Sequence, residues 1–190
     1  MNKLKVIFFI IFILLVTVIL TACGKNEDEA ESTALPADIM KKIDVAVLEK
    51  EIIDGVVYLE SGKYYTSGSE TEGEYLSESQ ISQIYGDLEG PPDFTAVESY
   101  AVWLASGDVV TEMGVFKVKD IESTEIVKKF LNERVRNLIL ISKDYKPEEV
   151  AKAEKAVVSS NGKYVYYLVT NINGVLEDII KTEIEAGKSK

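Results

Sequence analysis

By type and spacing, four residues carry a defined chemistry: Leu20-Thr21-Ala22-Cys23. A cysteine sulfur is a nucleophile as its thiolate, and this one closes the apolar run Val6 to Leu20 behind two small residues. The arrangement reads as a lipobox, at which the sulfur takes a diacylglyceryl group and the chain is cut just before it. Each buried CH₂ of an acyl chain contributes ~0.8 kcal/mol, and two chains hold a protein stably at a bilayer. Cys23 is the single cysteine among 190 residues. No internal disulfide can form, although an exported compartment would permit one.

Other chemistries are narrowed by what the chain lacks. It contains no histidine. Ser-His-Asp and Cys-His catalysis within the chain, histidine-ligated zinc and the HExxH site are thereby excluded. The acidic cluster Glu27, Asp28, Glu29 and Glu31 lacks the spacing of a calcium loop. No metal site and no cofactor is expected. Carboxylate pairs remain, such as Asp87/Glu89 and Glu148/Glu149. A glycan hydrolase needs two carboxyls ~5–9.5 Å apart across a cleft, one with a raised pKa. With 32 acidic residues, chance pairs are unavoidable. A carboxylate-based hydrolase of cell-wall polymers is therefore the alternative, and a non-enzymatic binding or assembly module the first expectation.

Glu112 and Arg134 form one further candidate pair. Period-two alternation puts Glu112, Gly114, Phe116 and Val118 on one strand face, the core side, with Lys117 and Lys119 opposite. Arg134 lies four residues after Phe130 and four before Leu138, on the apolar stripe of the next helix. Both charges point to one layer. An ion pair at the core's edge, an arginine snorkelling to water, and an anionic-ligand site at Arg134 all fit that placement, with the structural readings favoured.

The segments around these residues divide the chain in three. Residues 1–22 read as a signal peptide, with Lys3 and Lys5 before the apolar run. Those lysines imply that the rest is carried outward. Residues 23–36 read as the lipidated cysteine and a flexible tether. The stretch GKNEDEAESTALP has no aromatic residue and too little apolar surface to order itself. Its r.m.s. reach would be roughly 20 Å and its limit near 45 Å. Residues 37–186 are expected to form a single domain. Losing Lys3 and Lys5 with the leader takes the net charge from −11 to −13, which disfavours nucleic acid, anionic lipid and anionic wall polymer as partners. The expected partners are the membrane, through diacylglyceryl on Cys23, and a protein at the cell surface.

Within the domain the periodicities predict an α+β fold. Ile39, Ile43 and Val47 make an apolar stripe on a helix over 36–50. Residues 56–59 and 63–65 suggest a small hairpin, and residues 66–74 a loop. A short helix over 77–85 stops at Gly86. Strands at 99–105 and 111–119 precede a helix capped by Ser123 and running to about Ile141. After a short helix at Pro147, strands at 156–159 and 164–170 flank the turn Asn161-Gly162. A final helix carries Leu176, Ile179, Ile180 and Ile184 on one face. The expected packing is a mostly antiparallel four-stranded sheet made of two hairpin-helix units, joined by N-terminal helices.

Neither YVYYLV (164–169) nor YAVWLA (100–105) alternates polar with apolar residues. A strand of that composition is covered on both faces or exposes a sticky one. If the helices after the hairpins share one face, only the short N-terminal helices cover the other. That arrangement leaves two readings: full burial by the N-terminal helices, the favoured one, or a partly exposed partner surface near Trp103, Tyr164 and Tyr166.

Several pieces together resemble an uncharacterised family of bacterial lipoproteins, domain-of-unknown-function family 4358. They are Tyr85-Gly86, the YAVWLAS and EMGVFKVKD strands within 100–120, Arg134, Asp144-Tyr145-Lys146-Pro147, and NGKYVYYLVTN at 161–171. The resemblance runs from about Ala37 to Glu185, and residues 51–76 lie apart from it. It implies a lipid-anchored protein on the outer face of the cell membrane of a Gram-positive bacterium, and it supplies no activity, substrate or catalytic residue.

Overall fold

Five antiparallel strands form one sheet at the centre of the body. The computed structural model describes residues 30–49, 62–69, 71, 73–106 and 109–189, and the body begins at Ser32. In chain order its elements are α1 (Pro36–Glu49), β1 (Gly62–Thr66), α2 (Glu78–Tyr85), β2 (Val97–Ala105), β3 (Glu112–Val118), α3 (Thr124–Tyr145), α4 (Val150–Ala153), β4 (Val157–Asn161), β5 (Tyr164–Val169) and α5 (Asn173–Lys188). The sheet order is β1-β2-β3-β5-β4. The α+β class therefore stands, with five strands where the periodicity gave four. The additional strand contains Lys63-Tyr64-Tyr65 and pairs with β2, setting Tyr64 opposite Trp103. Residues 56–59, the other half of the suggested hairpin, lie outside the described residues.

The sheet is wide and apolar on both sides, which dictates where helices go. Five strands ~4.8 Å apart span about 24 Å, and a helix with its side chains covers ~10–12 Å. Each face thus needs about two helices. On one face α3 supplies Val127, Phe130, Leu131 and Leu138, while α2 supplies Tyr85. They pack on Tyr100, Val102, Phe116, Val118, Val165, Tyr167 and Val169. On the other, Ile39, Met40 and Ile43 of α1 and Leu176, Ile180 and Ile184 of α5 pack on Ala101, Trp103, Met113, Val115, Tyr164, Tyr166 and Leu168. The helices that follow the two hairpins, expected from the sequence to share a face, do not. They take one face each, because one face holds only two helices and α1 already lies beside α5.

Three local expectations shift for identifiable reasons. The β4–β5 loop is Gly162-Lys163, one residue on from Asn161-Gly162, because Asn161 pairs with Tyr164 across the ladder. Gly162 sits at φ 54°, a conformation that hairpin turns require and glycine adopts at little cost. Helix α3 extends to Tyr145, stopping before Lys146 and Pro147, where the residue ahead of a proline is driven out of the helical region. Its entry is capped by Asp120, whose Oδ1 accepts from Ser123 N at 2.9 Å and Ser123 Oγ at 2.7 Å. Ser123 itself makes no side-chain cap.

The body also starts earlier than residue 37. Ser32 is buried. Thr33 N and Oγ1 each donate to Gly187 C=O at 3.1 Å. Tyr164 Oη lies 3.0 Å from Ser32 C=O and 2.6 Å from Ala34 C=O. A Cβ at Gly187 would overlap Ser32 Oγ and stand 2.8 Å from Ala34 N. A glycine inside a helix costs roughly 0.5–1 kcal/mol relative to alanine, and here it leaves room for the segment. Residues 32–36 are therefore a docked strap, and the expected tether up to residue 29 lies outside the described residues.

Candidate functional site

The densest buried polar group lies where β3, β5, α2 and α3 meet. Glu112 opens β3 and faces α3, as the strand alternation requires. Arg134 reaches it from the middle of α3: Nε donates to Glu112 Oε2 at 3.1 Å, and Nη2 pairs with Oε1. This is the bidentate fork-to-carboxylate geometry, stronger and more directional than a single bond. Tyr167 of β5 donates to the same Oε2 at 3.2 Å, and the Tyr85 and Tyr167 hydroxyls are 3.2 Å apart. Tyr167 has one proton and directs it at the carboxylate, so Tyr85 is the donor in that last contact.

Sequence chemistry explains why these four meet. Gly114 stands opposite Tyr167 across the ladder, on the same face as Glu112. A Cβ there would lie 2.6 Å from Tyr167 Cε1. The missing side chain lets the Tyr167 ring lie across β3 and bring its hydroxyl to Glu112. Tyr85 is delivered by α2, whose start is fixed by a capping box between Ser77 and Gln80. Its ring meets Phe116 and Tyr167 edge-on, at centroid distances of 5.9 and 6.3 Å, and Phe130 at 5.5 Å.

The electrostatics follow from burial. The Glu112 side chain is 7% exposed and that of Arg134 17%. Burial works against the Arg134 charge, and the Glu112 carboxylate more than offsets it, holding the guanidinium above its ordinary range. Burial pushes the Tyr85 hydroxyl up, which the bond to Tyr167 opposes and the Glu112 charge reinforces. Tyr167 is raised well above the ordinary tyrosine range, again chiefly by burial, with Tyr85 and Glu112 adding to it. Both phenols stay protonated across the physiological range. The arginine fork is filled by a protein carboxylate, so an anionic ligand at Arg134 would have to displace Glu112.

A second polar group lies near the β2–β3 connection. Glu149 Oε2 accepts from Lys152 Nζ at 2.7 Å and from Val110 N at 3.0 Å, and Lys152 Nζ also donates to Thr111 Oγ1 at 3.0 Å. Burial pushes the Glu149 carboxyl up, but the bonds from Lys152 and the Val110 amide outweigh it and hold it below the usual carboxylate range. Beside it is a cavity of about 380 Å³ bordered by Glu148, Lys155, Thr170 and Asn173. Among the described residues, no group of three or more acidic, histidine or cysteine side chains is placed to hold a metal ion.

The residues of the alternative partner surface are core. Trp103, Tyr164 and Tyr166 are 2%, 1% and 0% exposed. Helices α1 and α5 together cover their face, which the short N-terminal helices alone would not. Leu20, Thr21, Ala22 and Cys23 lie outside the described residues. Among the described residues, no helix is long and apolar enough to cross a membrane. Of the carboxylate pairs, Asp87 Oδ1 accepts from Glu89 N at 2.7 Å within an exposed turn, and Glu149 is engaged as above. Tyr85, Tyr167 and Lys152 are the polar partners that sequence reading missed. Gly114 inside a strand was the available signal for Tyr167, and the i, i+3 spacing from Glu149 the signal for Lys152.

Residues 95–170 match the family model described as Domain of unknown function (DUF4358). The match takes in β2 to β5, and with them Glu112, Arg134 and Tyr167, while Tyr85, α1, β1 and α5 fall outside it. No curated protein and no solved structure matches the chain.

Proposed function

We propose that this chain, which belongs to the domain-of-unknown-function family 4358 through residues 95–170, is an extracytoplasmic lipoprotein anchored through Cys23, and that its body is a non-enzymatic binding or assembly module. The anchoring half rests on Leu20-Thr21-Ala22-Cys23 closing an apolar run, with no other cysteine in the chain. The observation that carries the second half is the closure of the central polar group. Both Glu112 oxygens are engaged by Arg134 and Tyr167, and Tyr167 also accepts from Tyr85. That network specifies the interior, and the chemistry left for partners is on the outside. Leu140, Ile141 and Tyr145, exposed at the C-terminal end of α3 with Tyr145 80% accessible, are the apolar anchors such a surface would use.

The carboxylate hydrolase is disfavoured by Glu149. A general acid requires a raised pKa, whereas Lys152 and the Val110 amide act on Glu149 in the opposite sense.

Two measurements test the proposal. Fatty-acid labelling in cells should mark the native chain and not Cys23→Ala, and label retained by the variant rejects the anchor. Crosslinking at the native membrane surface should capture a protein partner. Ile141→Glu with Tyr145→Glu should abolish the capture while leaving the melting temperature nearly unchanged. Release of wall fragments by the purified chain, lost in Glu149→Gln, would favour the hydrolase instead.

A further inference from the structure

The strap fixes where the chain enters the body, and that point has a definite place on the sheet. Thr33 is bonded to Gly187, in the last turn of α5, and Ser32 and Ala34 to Tyr164, the first residue of β5. The Gly162-Lys163 turn adjoins them, and its Lys163 C=O accepts from Val118 N at the end of β3. This end of the sheet carries Lys119, Lys163 and Lys188, interspersed with Glu98, Asp120, Glu122 and Glu185. The opposite end holds the β2–β3 connection, Thr170, the start of α5, and the cavity beside Glu148 and Lys155.

Contour length then limits how the body can stand on a surface. Eight residues, hence nine backbone steps, separate Cys23 from Ser32. At ~3.3–3.6 Å per step they reach at most about 32 Å in any conformation. A body of this size has a radius of gyration near 15 Å, so it is about 40 Å across. A linker of that length cannot pass around the body to let its far end touch the anchoring surface. Resting on the reading of Cys23 as the lipid attachment site, we propose that the entry end is the face turned to the lipid surface. The Gly162-Lys163 turn and the C-terminus of α5 meet the headgroups, and the cavity end is presented away from them.

The test is lysine footprinting of the full chain on the outer face of protoplasts, using an impermeant amine-acylating reagent. Detergent-solubilised chain is the reference. Labelling of Lys119, Lys163 and Lys188 should fall severalfold on the membrane, while Lys143 and Lys155 label equally in both states. Equal labelling at the two ends, or selective protection of Lys143 and Lys155, overturns the orientation. Fatty-acid labelling of Cys23 in the same cells reports separately on the anchor. Should it fail, coupling the Cys23 thiol to a maleimide lipid in phosphatidylglycerol-containing vesicles and repeating the footprint still decides the orientation.

Discussion

Strand β5 places tyrosines on both sides of the sheet, and the two sides treat them differently. Tyr167 lies on the face of α2 and α3, amid a cluster of rings with Tyr85, Phe94, Tyr100, Phe116 and Phe130 whose centroids lie 5.5–6.3 Å from their neighbours. Its hydroxyl is satisfied inside, by Glu112 and Tyr85. Tyr164 and Tyr166 lie on the face of α1 and α5 among aliphatic side chains, and their hydroxyls are satisfied at the margin. Tyr164 reaches the strap, and Tyr166 donates to Glu177 Oε1 at 3.0 Å. Both rings are equally buried. The difference is whether the polar tip ends in the interior, where a lost partner cannot be replaced by water, or near an edge, where it can. The network face should therefore be brittle to polar substitution and the strap face tolerant.

The largest effect expected from that contrast is at Arg134. Arg134→Leu leaves the Glu112 carboxylate buried without its counter-charge, at a cost of about 3–5 kcal/mol. Replacing both, Glu112→Leu with Arg134→Leu, should recover most of the loss, because the buried charge goes with its partner. Urea unfolding of the two single variants and the double variant measures this. Strictly additive losses would mean that the pair does not couple, and the brittle face would lose its cause.

Tyr167→Phe comes next. It deprives Glu112 of a donor and Tyr85 of its acceptor, for about 1–3 kcal/mol, against about 0.5–1.5 for Tyr85→Phe at the end of the chain of bonds. An alkaline titration separates this from mere packing. Tyr85 and Tyr167 have folded-state pKa values raised above the ordinary 10.0 by burial. Above that pH the unfolded chain releases protons that the folded chain keeps. Their contribution is full below pH 10 and is lost as pH rises from there toward the folded values. Each phenylalanine variant should lessen the fall in stability above pH 10 without abolishing it, since Tyr100 and Tyr166 are raised as well. An unchanged slope would show that the phenols are not held protonated inside.

How legible this was in the sequence depends on the range of the cause. The α+β class, the placement of Glu112 and Arg134 toward one layer, and the capped helix ending at Tyr85 follow from local periodicity. The assignment of α5 to one face and α3 to the other does not. It depends on five strands being wide enough to need two helices on each side, and the fifth strand is a five-residue segment in the least regular part of the chain. Burial of Trp103, Tyr164 and Tyr166 was the favoured of two readings, and the exposed surface was the other because an apolar strand calls for cover on both faces without saying that α5 supplies it. The strap was hidden for a different reason. Composition marks 24–36 as unable to fold alone, but 32–36 is ordered by Gly187, more than 150 positions away in the chain.

Gly187 gives a smaller prediction, on the tolerant side. Gly187→Ala inserts a methyl against Ser32 and Ala34, and overpacking costs about 1–3 kcal/mol. The helix regains nearly 1 kcal/mol of propensity, so the net loss should be small. The strap should give way before the sheet does. Limited proteolysis should cut within 30–36 sooner in the variant than in the native chain, with unfolding by urea little changed. Cutting at equal rates would mean that the strap is not held by this contact.

The smallest effect, and the sharpest control, is Tyr166→Phe. Its position is one residue from Tyr167 on the same strand, and it is as fully buried, so ring packing is preserved in both variants. Only the fate of the hydroxyl's partner differs. Glu177 keeps Lys181, whose Nζ lies 3.0 Å away, and its carboxylate, on a side chain 23% exposed, can take water in place of the phenol. The loss should be about 0.5–1 kcal/mol, below that of Tyr167→Phe. Its pH dependence is also opposite. Lys181 and then Tyr166 hold the Glu177 carboxyl below its ordinary 4.5 against burial, so that stability is present above pH 4.5 and disappears as pH falls through the folded value. The gap between native chain and Tyr166→Phe should therefore close in acid, whereas that of Tyr167→Phe changes in alkali. Equal losses for the two variants at neutral pH would refute the distinction between the faces.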